Sequence, residues 1–259
     1  MTLLKAVHYP GPDTTPLVIA HGLFGSARNW NVIAKRLSDA RPVIAVDMRN
    51  HGGSFWDADH GYAALAGDLA AVIDAHGGRA DVLGHSMGGK AAMVLALEQP
   101  GRVARLIVAD IAPVAYGHSQ MPVLEAMRAV DLSRVTRRAE ADAQLAAHIP
   151  EAPLRAFLLQ SLSLGDTGPR WLLNLDALGD QMPAIMGFPG GLARSDRPVT
   201  VLRGAASDYV GGAHEPALRA LFPNARIETV ADAGHWLHAE NPRGFETALR
   251  QALAAPAPR

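Results

Sequence analysis

The chain has 259 residues, 24 Lys+Arg against 25 Asp+Glu, and no cysteine. That length suits one large domain or a core with an insertion, and 49% apolar with 19% charged residues argue against disorder. A formal charge of −1 offers nothing to a polyanion, so no nucleic-acid partner is expected, and the missing thiols exclude disulfides, thiolate metal sites and a cysteine nucleophile. The opening MTLLKAVHYPG lacks an apolar core with a cleavage signature. No stretch approaches the roughly 18 uninterrupted apolar residues of a membrane span, so a soluble, cytoplasmic protein without a membrane partner is expected.

Short apolar runs alternate with helical patterns. Residues 3–8 suit an antiparallel edge strand, and Leu17–Ala20 a buried strand, followed by a glycine-bearing loop and a helix over 30–37. A strand at 42–46 ends at Asp47. A helix follows over 62–75, with Leu65, Leu69, Val72 and Ile73 on one face. A short strand at 81–83, a helix at 90–98 and a strong strand at Val103–Ala109 come next; strands at 199–203 and 227–230 and a helix at 244–253 close the pattern. Strands alternating with helices imply an α/β fold with a parallel sheet and right-handed crossovers. The tail 254–259, rich in Ala and Pro, is expected to fray.

The alternation breaks between about 113 and 196. Helices are expected there over 123–130, 135–149, 154–164 and 171–178, separated by Ser133, Pro150, Gly165, Gly168 and Pro183. An insertion after a strand's carboxyl end sits over the usual ligand crevice, so residues 113–196 read as a helical cap on a core of 1–112 and 197–259.

The strongest local signal is Gly84-His85-Ser86-Met87-Gly88-Gly89, between a strand and a helix. This is the setting of a nucleophile elbow, in which small residues two positions either side of the serine let strand and helix approach. A competing reading is a phosphate loop, Gly84-x4-Gly89-Lys90, but the metal-holding hydroxyl expected next is Ala91. A serine needs a base, and His235 in Ala233-Gly234-His235-Trp236 is the candidate; His238 and Glu240 read as structural. Two acids compete to orient the imidazole. Asp110 ends the strong strand and is favoured; Asp208 lies one residue beyond the commoner position, which holds Ser207. For the oxyanion, backbone N–H groups of Met87 and of Leu23, with Phe24 second, are the candidates, and His21 reads as a brace of that loop. Asp47–Ser54 with Asp57, Asp59 and His60 reads as a hydrogen-bonded brace, not a metal site, and Arg134, Arg137 and Arg138 as a solvated face.

In order along the chain, HGLFGSARNW, DMRNHGGS, GHSMGGK, DIAPV and GHWLHAENP resemble the alpha/beta hydrolase superfamily, and more narrowly its small YbfF-type bacterial esterases and their mitochondrial abhydrolase relatives. The resemblance implies a mostly parallel eight-stranded sheet flanked by helices, a helical cap inserted after strand six, and ester hydrolysis. It also implies an acid after the sixth strand, at Asp110.

The sequence thus points to a serine hydrolase of carboxylic esters or thioesters of small acyl groups. Its catalytic residues would be Ser86, Asp110 and His235, its oxyanion donors Leu23 and Met87, and it would use no cofactor or metal. The alternatives are a lyase or carbon–carbon bond hydrolase of the same fold, resembling a menaquinone-pathway lyase, with Arg28 meeting a dianionic substrate, or a non-catalytic small-molecule binder.

Overall fold

A computed structural model describes residues 2–166 and 168–255 of the chain. The first five strands are β1 (Ala6–Tyr9), β2 (Leu17–Ala20), β3 (Val43–Val46), β4 (Ala80–His85) and β5 (Val103–Ala109). After a separate hairpin of β6 (Leu162–Gly165) and β7 (Gly168–Trp171) come β8 (Val199–Gly204) and β9 (Arg226–Val230). The main sheet runs β1-β3-β2-β4-β5-β8-β9. Only β1, at one edge, is antiparallel to its neighbour.

The sheet is mostly parallel as expected, but it has seven strands among the described residues, not eight. Residues 2–5 do not extend it outward: Lys5 N–H donates to Ser54 Oγ at 2.8 Å, and its carbonyl accepts from Asp47 N–H at 2.8 Å. Its backbone is thereby tied to the loop after β3. The insertion consequently follows the fifth strand in chain order, not the sixth.

Helices α1 (Asn31–Leu37), α2 (Tyr62–Asp74) and α3 (Met87–Glu98) belong to the first half. The segment between β5 and β8 carries α4 (Met121–Arg128), α5 (Arg138–Leu145), α6 (Ala152–Leu158), α7 (Leu175–Asp180) and α8 (Met182–Met186). Then follow α9 (Glu215–Leu221), α10 (Leu237–Glu240) and α11 (Pro242–Ala254). The four residues of β2 and the four of β3 are all buried, which is why both strands read as unbroken apolar runs. One apolar cluster joins the sheet to α2, α3 and the inserted segment; the other joins its opposite face to α1 and α11.

The inserted segment differs from the expected run of helices. The helices predicted over 154–164 and 171–178 are present but shorter, α6 ending at Leu158 and α7 beginning at Leu175, and the β6–β7 hairpin lies between them. Gly168, at φ 91°, and Pro169, which has no N–H, break a helix, and Trp171 is pinned by its Nε1–H donating to Met127 O at 3.0 Å. The tail expected to fray lies, from 256 onward, outside the described residues.

Strand order places the site. From β2 the chain returns on one side to β3, whereas β4 leads to β5 on the other side. The carboxyl ends of β2 and β4 therefore flank a topological switch point, where α/β sheets hold ligands.

Candidate active site

Register brings the remote motifs together. Ala20 pairs with Gly84, His85 with Ala109, and Gly204 with Val230, so the loops after β2, β4, β5, β8 and β9 leave the sheet at one level. Ser86 sits between β4 and α3 at φ 51° and ψ −120°, a conformation that costs a residue with a side chain roughly 1–3 kcal/mol. A Cβ on Gly88 would lie 2.5 Å from the Ala20 and His21 carbonyl oxygens, so only glycine lets α3 approach β2 this closely.

His235 Nε2 lies 3.1 Å from Ser86 Oγ, and His235 Nδ1 lies 2.8 Å from Asp110 Oδ2. Asp110 is wholly buried, so its carboxylate depends on protein donors. It accepts from Gly204 N–H at 3.0 Å and from the Ser207 hydroxyl, which shares Oδ2 with His235. Since a carboxylate only accepts, Nδ1 carries the proton and Nε2 presents its lone pair to the serine. Asp208, the competing acid, is exposed on the same loop, while its neighbour Ser207 faces inward.

Three contacts around His235 escaped the sequence reading. The Tyr209 ring stacks on the imidazole, with centroids 3.9 Å apart and planes 19° apart. His85 donates from Nε2 to His235 O at 2.9 Å. Glu240 accepts from Gly234 N–H at 2.6 Å and Trp236 N–H at 3.3 Å, clamping the residue on either side. Only Glu240 left a trace in the sequence, as a carboxylate a few residues beyond the histidine.

The loop after β2 closes as a turn, Gly25 N–H donating to Gly22 O at 3.0 Å. Phe24 N–H donates to His51 Nε2 at 3.2 Å, so it is spent. Among the described residues the Leu23 N–H meets no protein acceptor, and Met87, the first residue of α3, has none within the helix. Both residues border the Ser86 cavity. His21 donates from Nδ1 to Gly22 O at 2.8 Å and accepts Met48 N–H at Nε2 at 2.9 Å. In the loop after β3, Asp47 accepts from Ala27 and Gly53 N–H, and Arg49 makes a two-pronged pair with Asp68 at 2.5 and 2.8 Å. Those side chains are engaged as a brace.

The cavity beside Ser86 and His235 measures about 90 Å³. Leu154, Phe157, Ile185 and Met186 of the inserted segment line it together with Leu23 and Ile111. Lys90, the would-be phosphate-loop lysine, is buried and donates to Met186 O at 2.9 Å and Gly187 O at 2.5 Å, beside the Tyr116 ring. Its ammonium group docks the end of α8, and burial pushes its pKa down to about 7. Arg28 is exposed and outside the cavity lining.

Among the described residues five buried imidazoles surround the site, and burial holds one of them, His85, well below its ordinary value. Burial lowers His21 and His238 to about 4, and His51 and His60 to about 3, from an ordinary 6.5. They stay neutral in the fold, whereas the unfolded chain takes up protons as the pH falls through 6.5. Stability is therefore full above that pH and declines below it, by about 1.4 kcal/mol per pH unit per histidine until the folded-state pKa is reached. Five such groups remove several kcal/mol per unit, against a total of roughly 5–15 kcal/mol. Thermal melts should show a midpoint falling steeply between about pH 6.5 and 4.5. A flat midpoint across that range would contradict the neutral, buried state of these rings.

With this geometry in view, the comparisons with known proteins are decisive for class. Residues 17–248 match the model of the alpha/beta hydrolase family, and the chain belongs to that family. It is a hydrolase whose relatives include esterases and lipases. It is 39% identical over 245 residues to esterase YbfF of Escherichia coli, covering 93% of this chain and 94% of that one. It is 41% identical over 256 residues to the mouse (Mus musculus) sn-1-specific diacylglycerol lipase ABHD11, covering 94% and 83%. A solved marine microorganism esterase superposes with a TM-score of 0.93 at 35% identity, covering 97% of this chain and 99% of that one.

Proposed function

We propose that the protein hydrolyses carboxylic esters or thioesters of small acyl groups through an acyl-enzyme on Ser86. The observation that carries this is the unbroken chain from Ser86 Oγ through His235 to buried Asp110, at 3.1 and 2.8 Å. His235 Nε2 takes the serine proton as Oγ attacks the acyl carbonyl. Asp110 holds the Nδ1–H and stabilises the imidazolium that forms. Leu23 and Met87 N–H groups receive the oxyanion, aided by the positive end of α3. The tetrahedral intermediate collapses, His235 returns the proton to the departing alcohol or thiol, and water repeats the sequence to free the acid and regenerate the serine.

Residues 113–196 act in this reading as a lid over a core of 1–112 and 197–259. The aliphatic lining they contribute suits an apolar acyl group. At roughly 10–15 Å³ of cavity space per water-sized group, the cavity of about 90 Å³ takes a chain of roughly six to nine such groups. A cytoplasmic location stays part of the proposal, tested by fractionation.

A panel of p-nitrophenyl esters tests the reading. The butyrate should exceed the palmitate in kcat/KM by about tenfold or more, because the longer chain outgrows the apolar cavity. Equal turnover of the palmitate would overturn the size argument. No turnover of any ester, despite phosphonate labelling of Ser86, would favour the lyase or carbon–carbon hydrolase.

A further inference from the structure

The turn at 22–25 is restrained from outside its own strand and helix. Phe24 keeps a φ of 63° without being glycine, and such a residue persists only where its surroundings over-determine it. Both of its backbone polar groups are held by buried side chains. His51 Nε2 accepts its N–H at 3.2 Å, and Ser161 Oγ donates to its carbonyl at 3.0 Å. Ser161 comes from the inserted segment, at the end of the one-turn helix Leu159–Ser161, and its own carbonyl accepts Leu172 N–H at 2.8 Å. Beside it, Gln160 Oε1 accepts from Asn29 Nδ2 at 2.7 Å, while Asn29 Oδ1 accepts Ser26 N–H at 2.7 Å. His51 also bridges to Leu173 of the insertion through its backbone. The insertion thus grips the turn and the start of the helical segment after it.

We propose that Ser161 is a positioning residue for ester hydrolysis. It holds the Phe24 carbonyl so that the Leu23 N–H faces the oxygen that becomes negative, which makes docking of the inserted segment a condition for turnover. The inference rests on the hydrolytic reading above. An oxyanion donor acts only when aimed at the developing charge. Without the Ser161 hydroxyl, the Phe24 carbonyl loses its partner in a dry environment, and the strained turn relaxes with its amides turned away.

The test compares Ser161→Ala and Ser161→Cys with the parent enzyme on a short p-nitrophenyl ester. The Cys variant fills the same space with a weak donor and serves if the Ala variant does not fold. Each should lower kcat by about tenfold to a hundredfold, a part of the effect of deleting a donor outright, with KM nearly unchanged. Affinity for a trifluoromethyl ketone, whose adduct carries the oxyanion, should fall by the same factor. A merely structural serine would not weaken the ketone selectively. A folded variant with parental kcat and ketone affinity overturns the inference. If the parent itself neither turns over esters nor reacts with a fluorophosphonate, the hydrolytic reading fails and carries this inference with it.

Discussion

Ser86→Ala should abolish ester turnover, lowering kcat by about a million-fold while leaving the fold intact. The size follows from the chemistry: without the hydroxyl no acyl-enzyme forms, and only water, weakly oriented in the cavity, remains to attack. Stability should hold or rise, because a residue confined to φ 51° is strained whether it is serine or alanine, and the Ser86 side chain supplies no helix cap. Steady-state kinetics on a p-nitrophenyl ester, with circular dichroism of the same sample, checks both halves. Turnover retained within tenfold of the parent would contradict the serine mechanism.

Asp110→Asn should cost about ten thousand-fold in kcat, and Asp208→Asn almost nothing. The amide keeps the shape of the carboxylate but can offer His235 Nδ1 an N–H in place of a lone pair. That turns the imidazole to the tautomer whose Nε2–H can no longer accept the serine proton. Asp208 is exposed and makes no comparable contact with the imidazole. The two variants assayed side by side decide between the acids. Loss of turnover only in Asp208→Asn would overturn the assignment.

The sheet was legible because its parallel strands are covered on both faces and therefore read as unbroken apolar runs, as at Leu17–Ala20 and Val43–Val46. Ser86 was legible because an elbow demands glycines at fixed offsets, and His235 because a glycine precedes it just after a strand. The choice between Asp110 and Asp208 was not settled locally: it depends on which side chain turns inward on a tight loop, and Ser207 takes the inward place beside Asp110. Long-range partners left no local pattern. Tyr209 stacks on an imidazole 26 positions away in sequence, and Lys90 reaches carbonyls 96 and 97 positions on. The helix α9 was hidden by its short length and by the glycines at 211 and 212 before it. In the insertion, leucines at 158, 159, 162 and 164 fit a helix face as well as a turn followed by a strand, and only tertiary contacts chose the hairpin.

The most direct measurement is the site of reaction with a fluorophosphonate, read by intact mass and by peptide mapping of the native and Ser86→Ala proteins. An activated hydroxyl at the switch point of the sheet gives one adduct, on Ser86, that is lost in the variant and slowed by orders of magnitude in His235→Ala. An unreacted native enzyme, or an adduct on any other residue, contradicts the account.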